Sequence, residues 1–336
     1  MNKIEKQVLA VYSRVNPSLI SVKNDPNLKL FFKKRQNLFN LLHVSSEIFE
    51  NRNLLDIGGG TGEKSLFYAT LGSNITLLDA NSKSIYHAKK LFKKHHYPIN
   101  TINQSLSQFN FKIIEDYDIV ICDGILHHTE NPIKNLKKIL KHLKKNSIFI
   151  LGISESNAYF KRTLLRDFIR KYSDFDEKKI IFNSKKFFYN HIDKAVKFGG
   201  RNEKAVIFDS FINPQIVPIS LHGICESFYK NKVKYVSSFP TLTPFFDVTS
   251  FNKKRPDYFD YDYYFNYYKF LEKLWMCFEG NNFDINKDFT KINFESQKLF
   301  NMKTKMDNGE LLIKDFSILK NSTMGIGINY FIGRKK

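Results

Sequence analysis

The run Asn53-Leu54-Leu55-Asp56-Ile57, followed at once by Gly58-Gly59-Gly60-Thr61-Gly62 and then by helical spacing from Lys64 to Leu71, constrains this chain more than anything else in it. Glycine supplies backbone conformations that other residues avoid, so the cluster ends the strand and turns the chain tightly into a helix. The alternation then repeats. Asn74 to Leu78 reads as a second strand ending in Asp79, and Ser82 caps a helix running to about His95. Ile99 to Asn103 is a weak third strand, Tyr117 to Cys122 a fourth, Pro132 to Leu143 a lysine-faced helix, and Ser147 to Ile153 a fifth strand. Strands alternating with helices of this length predict parallel βαβ units and an α/β fold.

Before this block, Leu28 to Phe49 carries helical spacing. Beyond residue 154 the rhythm breaks. Residues 158–170 look helical, 171–207 are charged and indistinct, Ser220 to Tyr229 is a helix, Val233 to Phe239 a strand, and Tyr258 to Phe278 is dense in aromatic residues. Met324 to Ile332 alternates in the manner of a strand. The expected organisation is an N-terminal helical lid over 1–50, a ligand-binding core over 51–154, and insertions over 155–336. These insertions wall an acceptor pocket and carry the last elements of the core, at about 220–239 and 324–333.

A parallel sheet binds ligands beyond the carboxyl ends of its strands, which puts Gly58 to Gly62 against a nucleotide-like group. A dinucleotide fingerprint would need glycine at position 63, and Glu63 stands there. The Asp56 carboxylate would repel a pyrophosphate and suits a positive centre. Asp79, 23 residues after Asp56, is spaced to accept hydrogen bonds from both hydroxyls of a ribose. A ribose joined to an amine or sulfonium describes S-adenosylmethionine.

The segments Leu54 to Gly62, Asp79, Tyr117-Asp118-Ile119-Val120 and Leu126-His127-His128 resemble the class I S-adenosylmethionine-dependent methyltransferases over about residues 30–154. The resemblance implies a Rossmann-like, seven-stranded, mostly parallel sheet with helices on both faces. Ser220 to Tyr229 would be the final helix, Val233 to Phe239 strand six and Met324 to Ile332 an antiparallel strand seven. It further implies that Asp56, Gly58, Gly60 and Gly62 surround the methionine part and that Asp79 holds the ribose. The loop after the third strand flanks adenine. Many members have an acidic residue where this chain has Gln104-Ser105-Leu106, so adenine recognition would rest on Ser105, Leu106 or backbone groups. Asp123, after the fourth strand, either lines the pocket or is a turn residue.

His127 and His128 fall where an acceptor would meet the methyl group, and either is a candidate base; packing within the loop is the alternative. No set of residues has metal-ligand spacing. Position 123 onward lacks the Asn/Asp-Pro-Pro-aromatic motif that resembling families use on exocyclic amino groups, which favours an oxygen acceptor in a small molecule such as a saccharide or another metabolite. The aromatic insert offers Tyr263 and Tyr264 to stack on it, with packing of the insert itself as the competing reading. Residues 209–220 carry Asp209-x-Phe211-x-x-Pro214, a pattern recurring in bacterial methyltransferases, and suggest a pocket wall.

The formal charge of +20 invites an RNA acceptor. That charge is divided evenly between residues 1–150 and the rest, and only nine of the 53 basic residues are arginine, so it argues for a solvated surface over a nucleic-acid face. A non-catalytic cofactor-binding subunit is the third reading. Three scattered cysteines and no long apolar stretch predict a cytoplasmic protein without a membrane span.

Overall fold

The computed structural model describes residues 1–15, 25–199, 202–243, 256–278, 289–310 and 325–336. In chain order the helices are α1 (Lys3–Val15), α2 (Asp25–Leu41), α3 (Glu63–Thr70), α4 (Ser82–Lys94), α5 (Pro132–Lys141), α6 (Phe160–Tyr172), α7 (Glu177–Gly199), α8 (Glu203–Ile207), α9 (Leu221–Lys230), α10 (Phe265–Cys277) and α11 (Phe289–Asp307). The strands are β1 (Asn53–Ile57), β2 (Asn74–Leu78), β3 (Asn100–Ile102), β4 (Ile119–Asp123), β5 (Ile148–Ile153), β6 (Val233–Phe239) and β7 (Asn329–Lys335). They form one sheet in the order β3-β2-β1-β4-β5-β7-β6. β7 runs antiparallel to both neighbours and the other pairs are parallel, so the expected seven-stranded α/β sheet is observed.

Alternation along the strands sorts the core into two layers. Leu54, Ile119, Ile121 and Ile150 face Phe39, Phe49, Leu66, Tyr68 and Phe92, contributed by α2, the 3-10 turn Ser46–Phe49, α3 and α4. Leu55, Val120, Cys122, Phe149 and Leu151 face α5, α9 and the aromatic residues on and before α10. A separate apolar cluster joins α6, α7, α8 and α11. No helix among the described residues is long and apolar enough to cross a membrane.

Several boundaries differ from the sequence expectation. The helix expected over Leu28 to Phe49 stops at Leu41, because His43 adopts a φ of +52° and Ser45 caps a separate 3-10 turn through its side chain. Asn81, not Ser82, caps α4, accepting from the Lys83 amide. The indistinct stretch 171–207 contains α7 and α8. Met324, where the last strand was expected to begin, lies outside the described residues, and β7 begins at Asn329.

Candidate active site

The sheet order reverses between β1 and β4, and the loops there surround a cavity of about 390 Å³, within the range of small-molecule sites. Of the residues singled out in the sequence, Gly58, Asp79, Ser105, Leu106, Asp123, His127 and His128 line it. Asp56, Gly60 and Gly62 are not among its lining residues. The Gly60 amide donates to Asp79 Oδ2 at 3.0 Å, while the Asn81 amide donates to Oδ1 at 2.7 Å, so two backbone groups fix the Asp79 carboxylate at the end of β2. Burial raises the Asp79 pKa against the pull of these amides. Gly62 has a φ of +88°, and a side chain there would meet Ala88 Cβ at 2.9 Å, so it serves the close packing of α3 on α4.

Asp56 is fully buried and accepts a 2.6 Å hydrogen bond from Ser65 Oγ. Burial pushes its pKa up to about 6, with the Ser65 hydrogen bond and Lys64 opposing. Because the folded value exceeds the unfolded one, this carboxyl stabilises the fold below about pH 4 relative to neutral pH, and that advantage is lost as the pH rises through about 6. Asp56→Asn keeps an acceptor for Ser65. It should gain about 2–3 kcal/mol relative to wild type between pH 3.5 and 7, read by urea denaturation at both values; a constant difference across that range would remove the burial argument. The carboxylate lies directly behind Gly59, a lining residue whose missing Cβ would fall 3.0 Å from Asp56 Oδ2. A ligand with a positive centre seated on this loop would offset the cost of the buried charge.

The cavity floor holds a charge network that sequence spacing gave no sign of. Asp123 Oδ2 is 3.0 Å from Arg35 Nη1 of α2 and 2.9 Å from Lys64 Nζ of α3, and Tyr330 Oη of β7 donates to Oδ1 at 3.2 Å. Arg35 also donates to Tyr68 Oη. Burial alone would raise the Asp123 pKa, but Lys64 and Arg35 outweigh it and hold the carboxyl at about 2. Asp123 is thus a buried, paired residue of the cavity wall, not a solvent-exposed turn residue.

Ser105 is buried and bonds Gln108 Oε1 at 2.9 Å, and the neighbouring Ser107 amide donates to Glu5 of α1 at 3.1 Å. Glu5, Val8, Leu9 and Tyr12 of α1 all line the cavity, so this helix lies across it from the Ser105 loop to the histidines.

His127 and His128 sit on the 3-10 turn after β4, their rings 4.1 Å apart. His127 is buried, and its Nδ1 has no hydrogen-bond partner among the described residues. Burial, reinforced by His128, drops its pKa well below the ordinary histidine value and keeps it neutral near pH 7. His128 bonds Tyr12 Oη through Nε2 at 2.9 Å and approaches the Gln215 carbonyl oxygen through Nδ1 at 2.8 Å. The segment after α8 braces this turn: Val217 donates its amide to the His127 carbonyl, and Gln215 Nε2 donates to the Thr129 carbonyl. Asp209, on the π-helical turn Phe208–Ile212, also lines the cavity. The Asp-x-aromatic-x-x-Pro pattern was the one sequence signal for this wall. Tyr12, Arg35 and Tyr330 had none.

Tyr263 and Tyr264, offered by the sequence as a stacking pair, do not line the cavity. Tyr264 is 7% exposed and packs against Tyr258 and Tyr268 in the layer of α5 and α9, and Tyr263 is 65% exposed at the surface. The insert spends its aromatic residues on covering one face of the sheet.

A family described as "Methyltransferase domain" matches residues 55–151. The "Ubiquinone biosynthesis O-methyltransferase" of Rickettsia akari is 25% identical over 159 residues, covering 45% of this chain and 61% of that one. Its namesake in Rickettsia typhi is 31% identical over 100 residues, covering 30% of this chain and 39% of that one. Among solved structures, PKMT2 from Rickettsia typhi has a TM-score of 0.49 and 14% identity, covering 86% of this chain and 49% of that one. The chain therefore spans less than two thirds of the curated relatives it matches. Sheet order, glycine loop and matched domain agree, and residues 55–151 form a methyltransferase domain of the class I S-adenosylmethionine-dependent fold.

Proposed function

We propose that this protein transfers a methyl group from S-adenosylmethionine to a hydroxyl oxygen of a small-molecule acceptor. The observation that carries the reading is one cavity with a backbone-fixed carboxylate, Asp79, at one end and the His127, His128 and Asp209 cluster at the other. Asp79 would accept from the ribose hydroxyls, the Ser105 and Leu106 loop would flank adenine, and Gly58 and Gly59, with Asp56 behind them, would seat the methionine part. The bound cofactor supplies an activated methyl on a good leaving group, so alignment of the acceptor oxygen supplies much of the acceleration, of order 7–11 kcal/mol. Val8, Leu9, Phe31 and Ile328 give the cavity an apolar lining, which suits a partly apolar acceptor with a polar hydroxyl edge. The curated relatives are named as O-methyltransferases of ubiquinone biosynthesis, which supports an oxygen acceptor.

Calorimetry with S-adenosylhomocysteine tests the cofactor end. Asp79→Ala should weaken binding by about 1.5–3 kcal/mol, roughly 10- to 150-fold, through loss of charge-assisted hydrogen bonds. Equal affinity in the variant would remove Asp79 from the site. For the acceptor end, labelled cofactor is offered to dihydroxybenzoates, phenols, sugars and bulk RNA. Label in a hydroxylated ring supports the reading, and label in RNA alone overturns it.

A further inference from the structure

The acceptor end of the cavity joins three groups through one phenol. Tyr12 Oη lies 2.9 Å from His128 Nε2, 2.9 Å from Asp209 Oδ1 and 2.8 Å from Asn213 Nδ2. A phenol oxygen donates one proton and accepts through its lone pairs, whereas an amide nitrogen only donates. Tyr12 therefore accepts from Asn213 and has one proton to give, to either His128 Nε2 or the Asp209 carboxylate.

His128 Nδ1 is placed between opposites in the same way. The Gln215 carbonyl oxygen, which can only accept, is at 2.8 Å, and Asn213 Nδ2, which can only donate, is at 3.0 Å. With the shorter contact, to Gln215, made by Nδ1–H, two proton arrangements fit the same heavy-atom positions. In the first, Nε2 is bare and accepts from the Tyr12 hydroxyl. The second holds one proton more: Nε2–H donates to Tyr12, and Tyr12 donates to the Asp209 carboxylate. Such a cluster takes up or releases one proton between Nε2 and Asp209, with Tyr12 between them.

We infer that Asp209, Tyr12 and His128 form a prebuilt sink for the proton that the acceptor hydroxyl must lose, with Asp209 meeting the acceptor and Tyr12 and Asn213 acting as positioning residues for His128. The inference rests on the methyl-transfer reading above. Both ring nitrogens of His128 face protein groups, whereas Asp209 lines the cavity with 27% of its side chain exposed. As the carbon–sulfur bond breaks with its electron pair returning to sulfur, the oxygen–carbon bond forms. The hydroxyl proton passes to Asp209, which donates to Tyr12 Oη as Tyr12 hands its own proton to the bare Nε2, leaving Asp209 a carboxylate and His128 an imidazolium. Tyr12 belongs to α1, so this end of the site is complete only with that helix in place. Among the described residues, the other charged and titratable groups around the cluster are Arg14 of α1 and Lys204 of α8 over Phe208, His127 beside His128, Arg166 of α6 with Tyr159 before it, and Lys64 and Asp123 across the cavity.

Nitrogen NMR of [15N]histidine-labelled protein, with and without S-adenosylhomocysteine, tests this, His128→Gln supplying the assignment. The expected result is a single titration in which Nε2 passes from bare to protonated while Nδ1 stays protonated. Tyr12→Phe and Asp209→Asn, each checked for an unchanged melting temperature, should both move that titration to lower pH by about one unit, the equivalent of one hydrogen bond to a charged partner. A titration that neither variant moves, or an Nε2 that keeps one protonation state from about pH 5 to 9, overturns the inference. No acceptor is used, so failure of methyl transfer to every probe would count against the proposed function and leave this result standing on its own.

Discussion

Arg35→Met should cost about 3–5 kcal/mol of stability at pH 7, because it leaves Asp123 buried without the partner that neutralises it from the α2 side. Arg35 and Asp123 are 7% and 2% exposed, so neither can turn to water for compensation. Lys64 remains in contact but is 35% exposed, and solvent screening limits what it can replace. The Asp123 pKa is held near 2 in the folded protein, below its ordinary value. Its contribution is therefore present above about pH 4 and lost as the pH falls through 2. The penalty of Arg35→Met should accordingly be largest near neutrality and shrink in acid, where protonation neutralises the stranded carboxyl. Urea midpoints at pH 7 and pH 3.5 measure both parts. A loss under about 1 kcal/mol at pH 7, or one that grows in acid, would mean the network is not what holds α2 against the sheet. Asp123→Asn combined with Arg35→Met should be less damaging than the sum of the two single changes, since contacting residues do not act additively.

Gly58→Ala should weaken S-adenosylhomocysteine binding by about two orders of magnitude, the effect expected when a positioning surface is displaced by about 1 Å. The residue has a φ of +75°, and its Cβ would stand 2.4 Å from Ile125 Cδ1 and 2.9 Å from Ile125 Cβ. Ile125 lines the cavity, so the clash is relieved by moving the wall or the loop. Gly124 supplies the control. Its φ is +86°, yet the nearest atom to a new Cβ is Lys64 Nζ at 3.9 Å. Gly124→Ala thus carries backbone strain of about 1–2 kcal/mol with little clash, and should lower affinity by about tenfold or less. If the two variants bind alike in calorimetry, contact with Ile125 is not what demands glycine at position 58.

The sequence disclosed what depends on near neighbours along the chain. β1, β2 and β6 fall where alternation and glycine punctuation put them, because strand, loop and helix preferences are set within a few residues. The same local grammar found the cavity's glycine loop and Asp79. It failed where a partner lies far along the chain. Arg35 meets Asp123 across 88 positions and Tyr12 meets His128 across 116, and each looks in isolation like an ordinary residue of a polar helix. The Tyr263 and Tyr264 expectation failed for a related reason. A run of aromatic side chains announces that a surface will be covered, but only the packing says which, and here it is the face of the sheet carrying Val120 and Phe149. Asn81 displaced Ser82 as the cap by a single position, the ordinary uncertainty of a helix boundary.

The place of β7 bears on how the protein is made. It is inserted between β5 and β6, although residues 240–328 separate it from β6 in the chain. Translation runs from the amino end, so β1 to β6 leave the ribosome before the strand that joins the last two of them exists. During that interval the Ile148–Ile153 edge has no neighbour on one side and offers unpaired backbone groups to any passing strand. Tyr330, which bonds both Asp123 and Arg35, arrives with the same late strand. Nascent chains stalled before residue 329 should therefore be caught by chaperones and be unable to hold cofactor, and competence should appear abruptly once residues 329–335 have cleared the exit tunnel.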